Sequence, residues 1–497
     1  MSFYTNVVCI GNHILFRGVS GDGSRFKDRI EYHPPLYIPA RNNQGKFKTL
    51  DGQLMGEIRP GNIKECREFI RKYKEVENFE IHGNTKFEFS FLAEHFPEEH
   101  IEYDFSQIRI AYLDIETSSE QGFPNIETAN EQVTAITLKI DKKVYVFGTD
   151  EFVYDRDDVF YFRFESERVM LEKFFEIWDK ESPDVLTGWN VETFDIPYLV
   201  NRAKRLFKKN TKNPYRLLSP WRKINEYTLF GMGGKELQAY EIVGVETLDY
   251  LLMYRKFIYS PQESYRLDHI ANVELGERKL DYSEQGTLHL LYKNDYQKFI
   301  EYNIKDVELV ERLEDKLKLL EMIVSLAYLC KVNYGNCFGQ VRMWDTLIFN
   351  HLLRKGIVIP PKRTTHKSSE FEGAFVKDPI LGMHKWVVSF DLASLYPSII
   401  RQLNLSPETK MQVWTDDLIT VDSFLDDNNV AKKVLSKSKE QNLSVAANGV
   451  MFRKDFKGFM NELMETLYEE RKDFKKKMLE EERKLQEIQK ELSKRGL

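Results

Sequence analysis

No apolar run in the 497 residues reaches the ~18 residues that a membrane-spanning helix requires. The N-terminus, Met1-Ser-Phe-Tyr-Thr-Asn6, lacks the basic-then-apolar pattern of a secretory signal. Cysteine is scarce. Cys9, Cys66, Cys330 and Cys337 show no Cys-x-x-Cys spacing, which argues against a disulfide framework and a zinc site and for a reducing, cytosolic compartment. An excess of positive charge is also missing: the formal net charge is −6, which excludes a uniformly basic nucleic-acid coat but not a local basic face. One candidate face is Arg202 to Lys223, with nine Lys/Arg and no acid; it reads equally as a solvated helix and loop. Internal repeats are absent.

What is present is an ordinary globular balance, 42% hydrophobic and 30% charged, with core material for roughly three domains. Residues 1–105 read as short strands (Val7–Ile10, His13–Phe16, Leu36–Ile38) with an amphipathic helix near Ile63–Lys74. From Ile108 the pattern changes. Strands at Ile108–Asp114, Ala135–Ile140 and Val144–Phe147 precede helices at Val169–Trp178 and Ile196–Phe207, which predicts an α/β domain with a mixed sheet. A Gly-rich hairpin is expected over Thr228–Leu237. Residues 298–355 read as mostly helical, and Pro360–Ser369 marks a boundary. From Gly458 to Leu497, Leu463, Leu467, Phe474, Met478, Leu485, Ile488 and Leu492 recur by threes, fours and sevens, which predicts one long amphipathic helix. It closes on Lys494-Arg495-Gly496, residues suited to a helix C-terminus, and the chain is expected to stop at a natural turn.

Three carboxylate strings stand out. Asp114-Ile-Glu116 closes the first strand of the second domain, and strand alternation puts both acids on one side. Asp-x-Glu is weak alone, since Asp306-Val-Glu308 repeats it, but strand ends are where α/β sheets bind ligands. In Leu186-Thr-Gly-Trp-Asn-Val-Glu-Thr-Phe-Asp-Ile-Pro-Tyr198, Gly188 and Asn190 permit a tight turn and Asp195 opens a helix, where an Asp is a cap or a ligand. In Tyr302-Asn-Ile-Lys-Asp306, four-residue spacing stacks a phenol and a carboxylate on one helix face. A fourth string, Asp391-Leu-Ala-Ser-Leu-Tyr-Pro-Ser-Ile-Ile400, follows a strand-like run at Lys385–Phe390, so it sets a carboxylate at a strand end.

Together the first three strings resemble the exonuclease motifs of the family B DNA polymerases, and the fourth resembles the family's first polymerase metal motif. The resemblance is nearest to the T-even-type bacteriophage members and runs from the N-terminal domain through the first fingers helix. It implies a multi-domain α/β fold: an N-terminal α/β domain (1–105), an RNase H-like 3′→5′ exonuclease domain (106–318), a return to the N-terminal domain (319–361), a partial palm sheet (362–457) and the first fingers helix (458–497). It implies that Asp114, Glu116, Asp195 and Asp306 bind metal, as two-cation phosphodiester hydrolysis with ions ~3.5–4 Å apart needs hard oxygen ligands from separate elements. Tyr302 would orient the attacking water, its ordinary pKa near ~10 making it a poor base. Lys279, in Gly276-Glu-Arg-Lys-Leu280 after Ser264-Tyr-Arg-Leu-Asp-His-Ile270, would meet a phosphate or stand as an ordinary exposed lysine.

The resemblance further implies that Asp391 binds both polymerase metals and the Leu392 carbonyl one of them. Backbone amides of Ser394, Leu395 and Tyr396 would cradle a dNTP triphosphate, and the Tyr396 ring would exclude a 2′-hydroxyl. Arg471 and Lys475 would face that triphosphate. Val341–Asn350 and Glu372–Lys377 match further family landmarks; in the latter Gly373 and Ala374 would let backbone approach the template strand. The implied cofactor is Mg²⁺, two ions per site, with Mn²⁺ as a substitute. A second catalytic aspartate in a Tyr-Gly-Asp-Thr-Asp-like hairpin, the second fingers helix and the thumb are absent from these residues. The expectation is therefore the N-terminal subunit of a split replicative polymerase. It would act on primer-template and single-stranded DNA in the cytoplasm of an infected bacterium, with a second chain completing the active site and reaching the sliding clamp, and with no membrane partner. The alternatives are a truncated polymerase active only as an exonuclease and a nucleic-acid-binding translational regulator.

Overall fold

The computed structural model describes residues 2–40, 45–77, 79–118, 122–207, 213–230, 234, 236–281, 284, 286–362, 376–411, 428–446 and 449–495. These divide into two compact units, Met1–Pro39 with Gly56–Lys355, and Ala40–Met55 with Gly356–Leu497. Gly373 and Ala374 lie outside the described residues. No helix among the described residues is long and apolar enough to cross a membrane.

The first unit opens with an antiparallel meander, β1 (Phe3–Ile10), β2 (His13–Val19) and β3 (Arg25–Glu31). Helix Ile63–Tyr73 follows, started by a capping box in which the Asn62 side chain accepts from the Glu65 N–H and the Glu65 carboxylate accepts from the Asn62 N–H. The central sheet comprises β4 (Ile110–Thr117), β5 (Val133–Ile140), β6 (Lys143–Gly148), β7 (Val159–Arg163) and β8 (Val185–Thr187). A hairpin of β9 (Ile224–Phe230) and β10 (Glu236–Ile242) leads into the last sheet strand, β11 (Glu246–Thr247). The sheet order is β7-β6-β5-β4-β8-β11. The β4–β5 and β5–β6 pairs are antiparallel; β6–β7, β4–β8 and β8–β11 are parallel. It is the mixed sheet that alternating strands and helices predict.

Strand alternation divides the faces. Leu113 and Ile115 of β4 join a core with Phe174 and Trp178 of helix Glu167–Glu181 and with Ile196 and Leu199 of helix Asp195–Leu206. Tyr112, Asp114 and Glu116 fall on the opposite face, where helix Tyr296–Leu317 packs through Phe299, Ile300, Ile304 and Val307. One strand thus buries apolar residues on one side and presents carboxylates to a helix on the other.

Two expectations differ from the structure, the hairpin's bounds and the strand at Lys385–Phe390. The hairpin is longer than Thr228–Leu237, with ladder pairs from Ile224↔Ile242 to Phe230↔Glu236; residues 231–233 and 235 of its tip lie outside the described residues. In the basic stretch from Arg202 several cations are already paired, while residues 208–212 lie outside the described residues. Arg202 is buried and grips the Glu167 carboxylate at 2.8 and 2.6 Å, Arg222 pairs with Asp179, and Lys204 donates to the Tyr240 hydroxyl. Lys385–Phe390 forms no strand.

That segment belongs to the second unit, where Trp386 is 97% and Phe390 91% exposed. An apolar strand needs ladder partners, and none of the described residues pairs with it. Among the described residues of this unit, helix Leu395–Leu403 docks on the start of helix Phe459–Lys494, beside a short hairpin of β12 (Leu443–Val445) and β13 (Met451–Arg453). Asn404 joins them. Its amide donates to the Arg453 and Phe456 carbonyls, and its oxygen accepts from the Gly458 N–H and the Asn461 amide. Along the long helix Leu463 is buried, while Phe474, Met478, Leu485 and Ile488 of the expected stripe stay exposed.

Candidate metal centre

The carboxylates come from three elements. Asp114 and Glu116 stand on β4, half-buried, and Asp306 on the facing helix is buried. One oxygen from each of these three lies within 4.8 Å of the others. Asp195, 3% exposed, lies outside that 4.8 Å group but close enough to act electrostatically on Asp114, from the first turn of its helix. Its side chain does not cap that helix; Oδ1 accepts the Ile115 N–H at 3.0 Å, tying the helix start to the strand between the two other acids. Of the two sequence readings, the cap is therefore excluded.

Crowding acids out of water raises their proton affinity. Burial, then Asp306, Asp195 and Glu116, pushes the Asp114 carboxyl well above the carboxylate range. Burial and then Asp306 lift Glu116 to about 8. Burial lifts Asp195 to about 7, opposed by the Ile115 N–H. Asp306 is raised by burial, with Lys279 pulling the other way. The Lys279 ammonium ion-pairs with Asp306, and its Nζ donates to the Tyr302 hydroxyl at 3.0 Å. Burial lowers the Lys279 pKa, but Asp306, Tyr302 and Asp114 outweigh it and hold the cation charged.

This donor set fits divalent cations. All the candidate donors are hard carboxylate oxygens, they converge from separate elements, and the buried Asp306 Oδ1 has no hydrogen-bond partner among the described residues. A buried acceptor without a donor is costly unless something cationic meets it.

Backbone around the site is shaped for it. Asn190 sits at φ +72° in the turn before Asp195. Gly188 is needed for a different reason than its own turn: a Cβ there would run into the Leu113 carbonyl of β4. Asp249 secures the same turn, accepting from the Asn190 and Glu192 N–H groups at 3.2 and 3.0 Å while capping the helix Tyr250–Phe257. In the sequence Asp249 carries no signal beyond an acid just before a helix. Alongside lies a cleft of about 1040 Å³ that includes Trp189, Tyr265, Arg266, Arg278, Lys279 and Tyr302. Lys279 reaches it because the Asp268 carboxylate accepts its backbone N–H at 2.9 Å. Phe123, 81% exposed, packs on Phe194 with ring centroids 5.3 Å apart, next to Asp195. These rings and guanidinium groups suit bases and backbone of a single strand. Phe123, Trp189, Tyr265, Arg266 and Arg278 were not read as functional from sequence, although all except Phe123 stand in strings quoted for other residues.

In the second unit Asp391 is exposed, Leu392 is 69% and Tyr396 73% exposed, and Leu395 and Tyr396 open a helix. Ser394 precedes it at φ +52°, and Arg471 donates to the Ser394 hydroxyl at 3.4 Å, so two of the residues read as nucleotide-facing come together. Lys475 is exposed one turn along the same helix.

Residues 56–270 match the family model for the exonuclease domain of DNA polymerase family B, and residues 338–494 match the model for DNA polymerase family B. The DNA-directed DNA polymerase of Escherichia phage RB69 is 32% identical over 509 residues, 97% of this chain and 54% of the relative. That of Enterobacteria phage T4 is 30% identical, over 98% of this chain and 55% of the relative. The DNA polymerase delta catalytic subunit of Schizosaccharomyces pombe is 29% identical, over 64% and 30%. The chain spans about half the length of the two phage polymerases it matches.

Proposed function

Because the chain belongs to the family B DNA polymerases, we propose that it removes nucleotides from 3′ ends of DNA at the Asp114–Glu116–Asp195–Asp306 centre and carries part of a polymerase site at Asp391. The observation that carries the nuclease reading is the convergence of three carboxylates within 4.8 Å, one of which, Asp306, has a buried oxygen without a partner among the described residues. These acids would hold Mg²⁺ or Mn²⁺, which would supply activation of water and neutralisation of the departing 3′ oxygen. The residues themselves do the rest. Burial, then Asp306, raises the Tyr302 pKa and keeps its hydroxyl protonated, so it orients the attacking water as a hydrogen-bonding group and does not act as the base. Lys279 stands where it can leave Asp306 for a scissile phosphate, and the aromatic and basic lining of the cleft would hold the unpaired end.

Asp114→Ala is expected to abolish Mg²⁺-dependent degradation of single-stranded DNA while leaving the circular dichroism spectrum unchanged. Retained degradation sinks the assignment.

For the polymerase half, Asp391 and the Leu392 carbonyl are read as metal ligands, and Ser394 to Tyr396 with Arg471 and Lys475 as the triphosphate cradle for a dNTP. Gly373 and Ala374 are read as the template contact. The remaining palm, fingers and thumb come, in this reading, from a second polypeptide. Two features support it: the exposed apolar segment around Trp386 and Phe390, and the exposed side of the long helix at Phe474 and Ile488. That second polypeptide, the clamp it would reach and the infected bacterial cytoplasm belong to the proposal. Combining this chain with a polypeptide carrying the second catalytic aspartate should yield template-directed synthesis, and no synthesis from the mixture rejects it.

A further inference from the structure

Asn303 lies between the proposed catalytic residues Tyr302 and Asp306 on helix Tyr296–Leu317, and it is fully buried. Its Nδ2 donates to Asp114 Oδ2 at 2.6 Å. On the other side its Oδ1 accepts from the Thr137 hydroxyl at 2.5 Å. Thr137 is the residue directly opposite Asp114 in the β4–β5 ladder. Helix, strand and neighbouring strand thus meet at one amide.

We infer that Asn303, oriented by Thr137, is a positioning residue that holds the Asp114 carboxylate in its metal-receiving rotamer. The inference rests on the nuclease reading of the cluster. An amide side chain has one acceptor end and one donor end, and the donor end is the one a carboxylate needs. Because the Asn303 oxygen can only accept, the Thr137 hydroxyl is the donor in that contact, and the amide nitrogen is directed to Asp114. Without Thr137 the amide is free to turn and set oxygen against oxygen.

The choice of a neutral donor matters. Asp114 faces Asp306, Asp195 and Glu116, whose repulsion favours swinging the carboxylate away or protonating it. A lysine in place of Asn303 would hold Asp114 but cancel the charge a cation seeks, as Lys279 does for Asp306. The amide holds Oδ2 and leaves the full negative charge. It also stands three residues before Asp306 on the same helix, so one side chain fixes the strand ligand relative to the helix ligand. Partners that orient metal ligands in this way change metal affinity by ~10–100-fold when removed.

The test uses the full chain and Mn²⁺ alone, titrated by electron paramagnetic resonance, with melting in EDTA measured on every variant. Wild type should show a Mn²⁺ site that Asp114→Ala lacks. Asn303→Ala should bind at least ~10-fold more weakly. Thr137→Val, which keeps the side-chain shape, should weaken binding several-fold, and Thr137→Ser should restore it. If Asn303→Ala does not fold, Thr137→Val decides. Wild-type Mn²⁺ affinity in folded Asn303→Ala or in Thr137→Val overturns the inference and leaves the nuclease reading standing. Failure of the wild-type chain to bind Mn²⁺ overturns the reading itself, and the inference with it.

Discussion

Lys279 and Asp306, on a loop and a helix 27 residues apart in sequence, form an ion pair at the centre of the carboxylate cluster. The ammonium sits where a cation is wanted, so it stabilises the metal-free site and competes with metal for one ligand. Lys279→Met should therefore leave Mn²⁺ affinity equal or tighter. Turnover on single-stranded DNA should fall, on the order of 100-fold, because the phosphate loses a positioned cation. Unchanged turnover with weakened Mn²⁺ binding would make the lysine a structural strut.

The raised carboxyl groups predict an unusual pH dependence for the metal-free chain. Glu116, raised by burial and by Asp306 from 4.5 to about 8, binds its proton more tightly folded than unfolded. Stability from this group is complete below about 4.5 and declines as pH rises toward 8, because the folded state holds a proton the unfolded state has lost. Glu116→Gln removes that slope. In EDTA the melting temperature of Glu116→Gln minus that of wild type should grow from pH 5 to pH 8, and saturating Mn²⁺ should reverse the advantage at pH 8. A flat difference across that range would show that Glu116 ionises freely.

How the site was read from sequence depended on which signals are local. Periodicity shows that Asp114 and Glu116 share a strand face and Tyr302 and Asp306 a helix face, while their grouping into one site comes from the resemblance to the family's motifs. Asp249 and Thr137 are not legible locally, since their roles depend on which backbone N–H or amide the fold brings to them. Gly188 was read as a turn residue and proves to be a close approach to Leu113, a distance no local pattern encodes. The strand expected at Lys385–Phe390 fails for the converse reason: its apolar residues signal a sheet, but the described residues offer no neighbour.

Gly188→Ala tests that close approach. The added methyl meets the Leu113 carbonyl, so β4 or the turn must move, at a cost of about 1–3 kcal/mol. Leu113 precedes Asp114, and the turn leads to Asp195, so displacement shifts two proposed ligands at once. The expected result is a lowered melting temperature together with a loss of exonuclease rate that raising Mg²⁺ only partly recovers. A variant that melts lower yet keeps full activity would show that the turn absorbs the methyl without moving the site.

The two proposed sites lie in different compact units, with Asp114 in the first and Asp391 in the second. Asp391 is exposed and outside any strand or helix, so replacing it removes no packing. Asp391→Ala should therefore melt like wild type and degrade single-stranded DNA at the wild-type rate. In a mixture with a polypeptide supplying the second catalytic aspartate, the same variant should support no template-directed synthesis. Asp114→Ala should show the opposite pattern, synthesising without degrading. Primer extension and single-strand degradation, measured on both variants in parallel, check the pair. Loss of degradation in Asp391→Ala would mean that the two carboxylates serve one centre, and the two-site reading would fall.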